Sequence, residues 1–326
     1  MNAIENAFEE KYNFSMKWII SREKIEEVQN GIYKKSDTFK AALPGVTFAI
    51  WIYPNGVGNA SKDQVNAYLE VNHGMLEAVQ CDFKFEIKSA EFTKIMENNF
   101  TKSSSTWGGK ITSYEDFFNP QKKFFINDKV VIELEGQMQG SGFKMMVDKR
   151  LPILQLMAER DDMDVTVLVG DQKIKAHKDI LAKISPVFNK MFKDATNEKN
   201  KIKIHEFSHE IVKIAIDFCY SKDIGDQITV SNKNQLLAFS DKFQIENLKN
   251  TVEAAFVQKI CDETVANFST LSITYHAEKL RECCICFLML KKPAEILDIK
   301  NWDKIDKEIC QEIIHRALTF VSTQCV

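Results

Sequence analysis

Residues His205-Glu206-Phe207-Ser208-His209 spell H-E-x-x-H, a spacing that could support hydrolysis. On a helix it sets two imidazoles on one face as zinc ligands and leaves the carboxylate as general base. The flanking residues point elsewhere. Lys201-Ile202-Lys203-Ile204 alternates like a strand and runs straight into His205. Ser208 is a natural N-cap, and Glu210 and an apolar stripe starting at Ile211 follow it. The helix is therefore predicted to begin inside the motif, with its two histidines on different elements. No G-x-x-H follows to offer a third ligand. Loop and cap residues between a strand and a helix are the expectation.

Cys283-Cys284-Ile285-Cys286 is the second cluster with metal-binding residue types. It lacks paired C-x-x-C spacing. It lies on a helical stripe of Ala277, Leu280, Cys284, Phe287 and Leu288, which turns Cys284 to the core and the other thiols elsewhere. No phosphate-cradling G-x-x-x-x-G-K, no G-x-S-x-G and no G-x-G-x-x-G is present. His177 opens a helix and Asp164 begins a strand, so both read as structural polar positions. No cofactor or metal is expected, and the chain is not expected to be an enzyme.

The elements that would position these residues fall into two halves. The 326 residues suffice for two cores, and the net charge of -3 comes from intermixed acids and bases with no long basic block. Nucleic acid is not an expected partner. The strongly apolar run at 283–290 is too short to cross a bilayer, and the first 30 residues lack the apolar core of a secretory leader. Most of the 8 cysteines sit in apolar helical patterns, as reduced thiols of a cytoplasmic or nuclear protein would.

The first half alternates. Phe48, Ile50 and Ile52 share one face of a strand, as do Val65, Ala67, Leu69 and Val71, then Phe83, Phe85 and Ile87, then Val130, Ile132 and Leu134. Short strands between turns predict an antiparallel β-sandwich. Gln137 to Arg150, with Gly140-Ser141-Gly142, reads as a linker. The second half is helical, with stripes such as Leu248, Val252, Phe256, Ile260 and Ile305, Ile309, Ile313, Ala317. Near its start, residues 164–192 hold two short strands around a Gly170-Asp171 turn, then a helix, then a second helix restarted at Ser185-Pro186.

That order of strand, tight turn, strand and two small helices resembles the opening of a BTB/POZ domain. The first half resembles a MATH (TRAF-like) domain in W-I-I at 18–20, F-A-I-W-I-Y-P-N-G at 48–56, S-K-D at 61–63, F-K-F at 83–85, Trp107-Gly108 and D-K-V at 128–130. Residues 10–137 are thus expected to form a MATH domain and 138–150 a linker. Residues 151–260 are expected to form an α+β BTB domain, and 261–326 a helical extension resembling the 3-box or BACK region. The whole resembles MATH–BTB adaptors of cullin-3 ubiquitin ligases; a homodimeric scaffold without cullin contact is the alternative.

The resemblance implies a bridge. A substrate peptide would add as a strand to the MATH sheet, at a groove formed by Tyr68, Phe83, Phe100, Thr106, Trp107 and Gly109. Phe83 also alternates with Phe85 as a core residue does, so its spacing suits either place. Gly109 stands where family members usually carry an aromatic ring, which makes the groove shallower. Leu151, Ile153, Leu154 and Leu156 read either as a homodimer interface segment or as a packed linker. Cullin-3 would contact Met191, Phe192 and the triplet Thr196-Asn197-Glu198, in which Thr196 replaces the usual apolar plug and Glu198 is kept.

Overall fold

A computed structural model describes residues 3–143, 152–194, 200–317 and 320–322. The chain forms two compact units. Residues 1–144, 282–302 and 307–326 belong to one, and 145–281 and 303–306 to the other.

The first unit starts with helix α1 (Ala3–Phe8). Its strands are β1 (Tyr12–Ser21), β2 (Lys34–Lys35), β3 (Phe39–Lys40), β4 (Thr47–Tyr53), β5 (Gln64–Asn72), β6 (Leu76–Ile87), β7 (Phe92–Thr101), β8 (Thr106–Ser113) and β9 (Lys129–Phe143). Short helices α2 (Arg22–Glu26) and α3 (Tyr114–Phe118) follow β1 and β8. One antiparallel sheet runs β1-β9-β6-β7 and the other β2-β4-β5-β8, with β3 beside β4. The alternation seen in the sequence is what makes the two layers. Trp18 and Ile20 stand in register with Ile132 and Val130, and Phe85 with Leu134. On the second sheet Ile50 faces Leu69 and Phe48 faces Val71. All of these side chains are buried. Each large one contributes about 1.5–3 kcal/mol by leaving water.

The solvent face of the first sheet is a ladder of ion pairs. Lys17 and Lys88 meet Glu133 at 3.0 and 2.5 Å, and Lys84 meets Glu135 and Glu86 at 3.2 and 3.3 Å. The close carboxylates of Glu86, Glu133 and Glu135 are thus shared among lysines. Such wet pairs help fix register more than they stabilise.

The expected linker needs correction. Residues 137–143 are the end of β9, pairing with β1 as far as Met138 and with β6 as far as Phe143. Gly140 is there because a Cβ would stand 2.7 Å from Leu76 and 2.9 Å from the Phe8 carbonyl. Close backbone approach, not flexibility, explains that glycine. Residues 144–150 lie outside the described residues.

The second unit begins with α4 (Pro152–Met157). The hairpin β10 (Val165–Val169) and β11 (Gln172–Ala176) follows, with Gly170 at φ +56° in its turn. Helices α5 (Lys178–Ile184) and α6 (Pro186–Lys193) come next, then β12 (Lys201–Lys203), which pairs in parallel with β10. Helices α7 (His209–Cys219), α8 (Lys233–Lys242), α9 (Glu246–Val257) and α10 (Val265–Thr274) complete it. The restart at α6 is capped as its sequence predicts. Ser185 Oγ accepts from Phe188 N at 3.0 Å, donates to the Phe243 carbonyl at 2.5 Å, and is followed by Pro186 at the first helical position.

The chain then runs through α11 (Glu278–Met289), α12 (Pro293–Ile296), α13 (Lys307–Ala317) and β13 (Phe320–Ser322). The extension expected over 261–326 does not stay with one unit: α11 is divided between Arg281 and Glu282, and α13 belongs with the sandwich. Strand β13 pairs in parallel with β1, Met16 opposite Phe320, and becomes the edge of the first sheet. The expectation that only Cys284 of its cluster faces a core is also corrected. Cys283, Cys284 and Cys286 are all fully buried, because no face of α11 meets solvent there.

Candidate protein-interaction surfaces

The H-E-x-x-H residues are parted as the flanking sequence predicts. Strand β12 ends at Lys203, and α7 begins at His209 with Ser208 Oγ accepting from Ile211 N at 3.4 Å. His205 and Glu206 stand exposed in the connection, and Glu206 pairs with Lys242. The imidazoles therefore share no helical face. Burial pushes the Cys219 thiol up to about 12 and raises those of Cys81, Cys284 and Cys286. These thiols stay protonated and unreactive at neutral pH.

His177 is buried in a structural relay. Tyr220 Oη accepts from the His177 backbone N–H at 2.7 Å and lies 2.8 Å from Nδ1. Nε2 donates to Asp162 at 3.1 Å. Hydrogen bonds from Arg160 and His177 hold the Asp162 carboxyl at about 2. Asp164 accepts from Lys178 N at 2.8 Å, capping α5. The relay locks the hairpin to the helices and presents no nucleophile.

On the sandwich, the residues expected in a groove separate by face. Phe83 and Phe100 are core residues, 3% and 0% exposed, with ring centroids 6.4 Å apart. They support the floor of the site instead of lining it, because their rows on β6 and β7 point between the sheets. The remaining positions gather on the free edge strand β8 and its neighbour β5. Trp107 is in register with Leu69 and Gly109 with Ala67, on the inward-facing row. Trp107 is nonetheless 46% exposed, since among the described residues no strand pairs with the outer side of β8. Tyr68 and Thr106 lie on the opposite face, Tyr68 beside Gly108 and Trp51, Thr106 beside Glu70.

Both faces of that edge carry groups the sequence reading did not single out. Outside, Tyr68 meets Tyr53 edge-on at 5.6 Å, Tyr53 meets Tyr33 at 5.3 Å, and Tyr33 stacks on Trp51 at 4.2 Å. Burial raises the Tyr53 and Tyr68 phenols, keeping them as hydrogen-bond donors. Trp51 and Tyr53 alternate with Ile50 and Ile52, so this row was visible in the sequence as the polar side of a strand. Inside, the half-buried row of β7 presents Lys94, Met96 and Asn98. The centre of β8 is bare on both faces, with Gly108 facing out and Gly109 facing in. A peptide added to β8 would alternate its side chains between the aromatic row and the β7 row.

In the second unit, α4 holds Ile153 and Leu156 60% and 62% exposed, one helical turn apart, with Leu154 half-buried. Leu151 lies outside the described residues. Met191 and Phe192 are half-buried at the end of α6, where Phe192 stacks on Phe188 at 6.4 Å. Thr196 and Glu198 also lie outside the described residues.

Family comparisons agree with this architecture. The MATH domain model matches residues 16–135, and the BTB/POZ domain model matches residues 153–260. The chain therefore carries a MATH domain followed by a BTB/POZ domain. Along most of its length it is similar to TD and POZ domain-containing protein 3 of Mus musculus, 25% identical over 325 residues, covering 90% of this chain and 87% of the mouse protein. Among solved structures it is similar to the BTB domain of zebrafish PATZ1, with 22% identity, 33% of this chain and 91% of that one covered, and a TM-score of 0.29. A domain pair of this kind marks a protein-interaction adaptor.

Proposed function

We propose that this protein is a substrate-recognition adaptor of a cullin-3-type ubiquitin ligase, working in the cytoplasm or nucleus. The sandwich takes an extended substrate segment as a strand on β8. The BTB unit dimerises through the face carrying Ile153 and Leu156, and offers Met191, Phe192 and the residues that follow them to the cullin. The observation that carries this reading is the open β8 edge, with the large ring of Trp107 left 46% exposed beside it. A free strand edge offers main-chain hydrogen bonds to an added strand, and an aromatic beside it suits a binding hot spot. Two grooves per dimer would turn weak single contacts into avidity.

Trp107→Ala is expected to weaken substrate capture by about 30-fold, the loss typical of a binding hot spot, with an unchanged unfolding midpoint. Undiminished capture in pull-downs would refute the groove. A homodimeric scaffold without cullin contact is the second reading, favoured by Thr196 where the resemblance calls for an apolar plug. Titration of the full chain with the cullin-3 N-terminal region separates the two. In the adaptor reading, binding is measurable and Thr196→Met tightens it by about tenfold, the gain from one buried apolar anchor. No binding by either protein supports the scaffold.

A further inference from the structure

We propose that the β8 groove selects a substrate segment carrying an acidic side chain, Asp or Glu, at the position beside Gly109, and that Lys94 reads it. This rests on the groove reading above and adds the chemistry of what the groove takes. Gly109 leaves a gap on the inward row of β8, and a Cβ built there would stand 2.9 Å from Lys94 Nζ. Lys94 is thus the group that meets whatever an added strand places at this point. It has one hydrogen bond, donated to the Lys110 carbonyl at 2.9 Å, and among the described residues no carboxylate pairs with it. An ammonium has three donors, so two remain for a ligand.

The surroundings are one-sided. Residues 92–113, covering β7 and β8, hold Lys94, Lys102 and Lys110 against a single acid, Glu97. Glu97 lies in an exposed row of β7, opposite Asp82, on the face away from Lys94. Across the second sheet, Glu70 is already held by Lys35 at 2.5 Å. An extended segment on β8 would therefore meet a cation beside Gly109, and a cation calls for a negative acceptor.

The test is an arrayed library of eight-residue fluorescent peptides, each with one position fixed in turn, probed with the full-length protein, with Lys94→Gln and with Trp107→Ala. Asp and Glu are expected to be favoured over Asn and Gln by about three- to fivefold at one position, as suits a half-exposed ion pair. Lys94→Gln should erase that preference and keep the remaining selectivity and the unfolding midpoint. Lys94→Glu should turn the preference towards Lys and Arg. Trp107-dependent binding without acidic preference, or acidic preference that survives Lys94→Gln, would overturn the inference and leave the groove standing. Peptide binding that is absent, or indifferent to Trp107→Ala, would remove the groove and the inference with it.

Discussion

The sandwich treats two of its edges in opposite ways. At β1 the chain closes the sheet with its own C-terminal strand β13; at β8, a strand of eight residues paired to β5 on one side, the outer side meets no strand among the described residues. Exposed edges invite unwanted pairing, and proteins usually cover or blunt them. Here the covering is elaborate. Arg316, its side chain 1% exposed, donates to both oxygens of Glu282 at 2.9 and 2.8 Å and to Glu312 at 2.8 Å. Glu282 also accepts from Gly45 N at 3.1 Å, fastening the helices to the loop before β4. The chain builds such a lock to deliver a strand to one edge and places two glycines in the middle of the other, the contrast on which the proposed groove rests.

The largest expected effect comes from breaking the lock. Burial works against the charges of Glu282 and Arg316, but their mutual hydrogen bonds outweigh it, lowering the Glu282 carboxyl and raising the Arg316 guanidinium. Arg316→Met leaves Glu282 buried without its partner and should cost about 3–5 kcal/mol in urea unfolding. Amides of Met16 to Trp18 should then exchange faster, as β13 leaves their strand. The pH dependence should change sign. In the native protein the folded carboxyl is depressed, so its stabilisation is complete above the ordinary value of about 4.3 and is lost as pH falls below it. In Arg316→Met burial is opposed only by the hydrogen bond from Gly45 N and the charge of Lys40, and is expected to outweigh them and raise the Glu282 carboxyl, so acid should now relieve the unfolding midpoint.

This lock was the part of the fold least legible in the sequence. Glu312 and Arg316 lie off the apolar stripe of their helix, one turn apart, and the partner that buries Arg316, Glu282, comes from another helix. The strands were legible because each carries its own alternation, and the H-E-x-x-H resolved correctly because a cap residue and a strand pattern are local signals. Local signals misled where a residue type has two uses. Gly140 and Gly142 read as linker and are strand, where Gly140 lets neighbouring atoms approach. Cys283 and Cys286 were placed off the core by periodicity, which assumes that a helix has a wet side. In the candidate site, Trp107 was legible through its match to the family pattern, but its separation from Tyr68 depends on cross-strand register. Lys94 was missed because its position opposite an absent side chain on β8 is a tertiary fact.

The two central glycines of the open edge give a finer comparison. A Cβ on Gly108 would lie 2.0 Å from the Ala67 carbonyl and 2.5 Å from Tyr68 Cα, both backbone atoms of β5. Gly108→Ala must therefore push the edge strand off its neighbour, and is expected to cost about 2–3 kcal/mol in urea unfolding. Peptide capture should fall with it, because the edge that a ligand joins has moved.

Gly109→Ala, one residue away, should behave differently. The atom its methyl meets is Lys94 Nζ, the end of a flexible side chain, so the lysine can swing aside at little cost. Stability should change by less than about 0.5 kcal/mol, or rise slightly, since alanine leaves the unfolded chain less freedom to lose. Peptide binding should still weaken by about two- to threefold, because the methyl occupies the gap and draws Lys94 away from the Lys110 carbonyl. Urea unfolding and fluorescence polarisation on the same preparations separate the outcomes. Stability unchanged with weaker binding places the ligand beside Gly109, on the inward side of the edge. Stability unchanged with equal binding would move the ligand to the outer face, over Tyr68 and Trp51, and would make the bare inward gap a matter of packing alone.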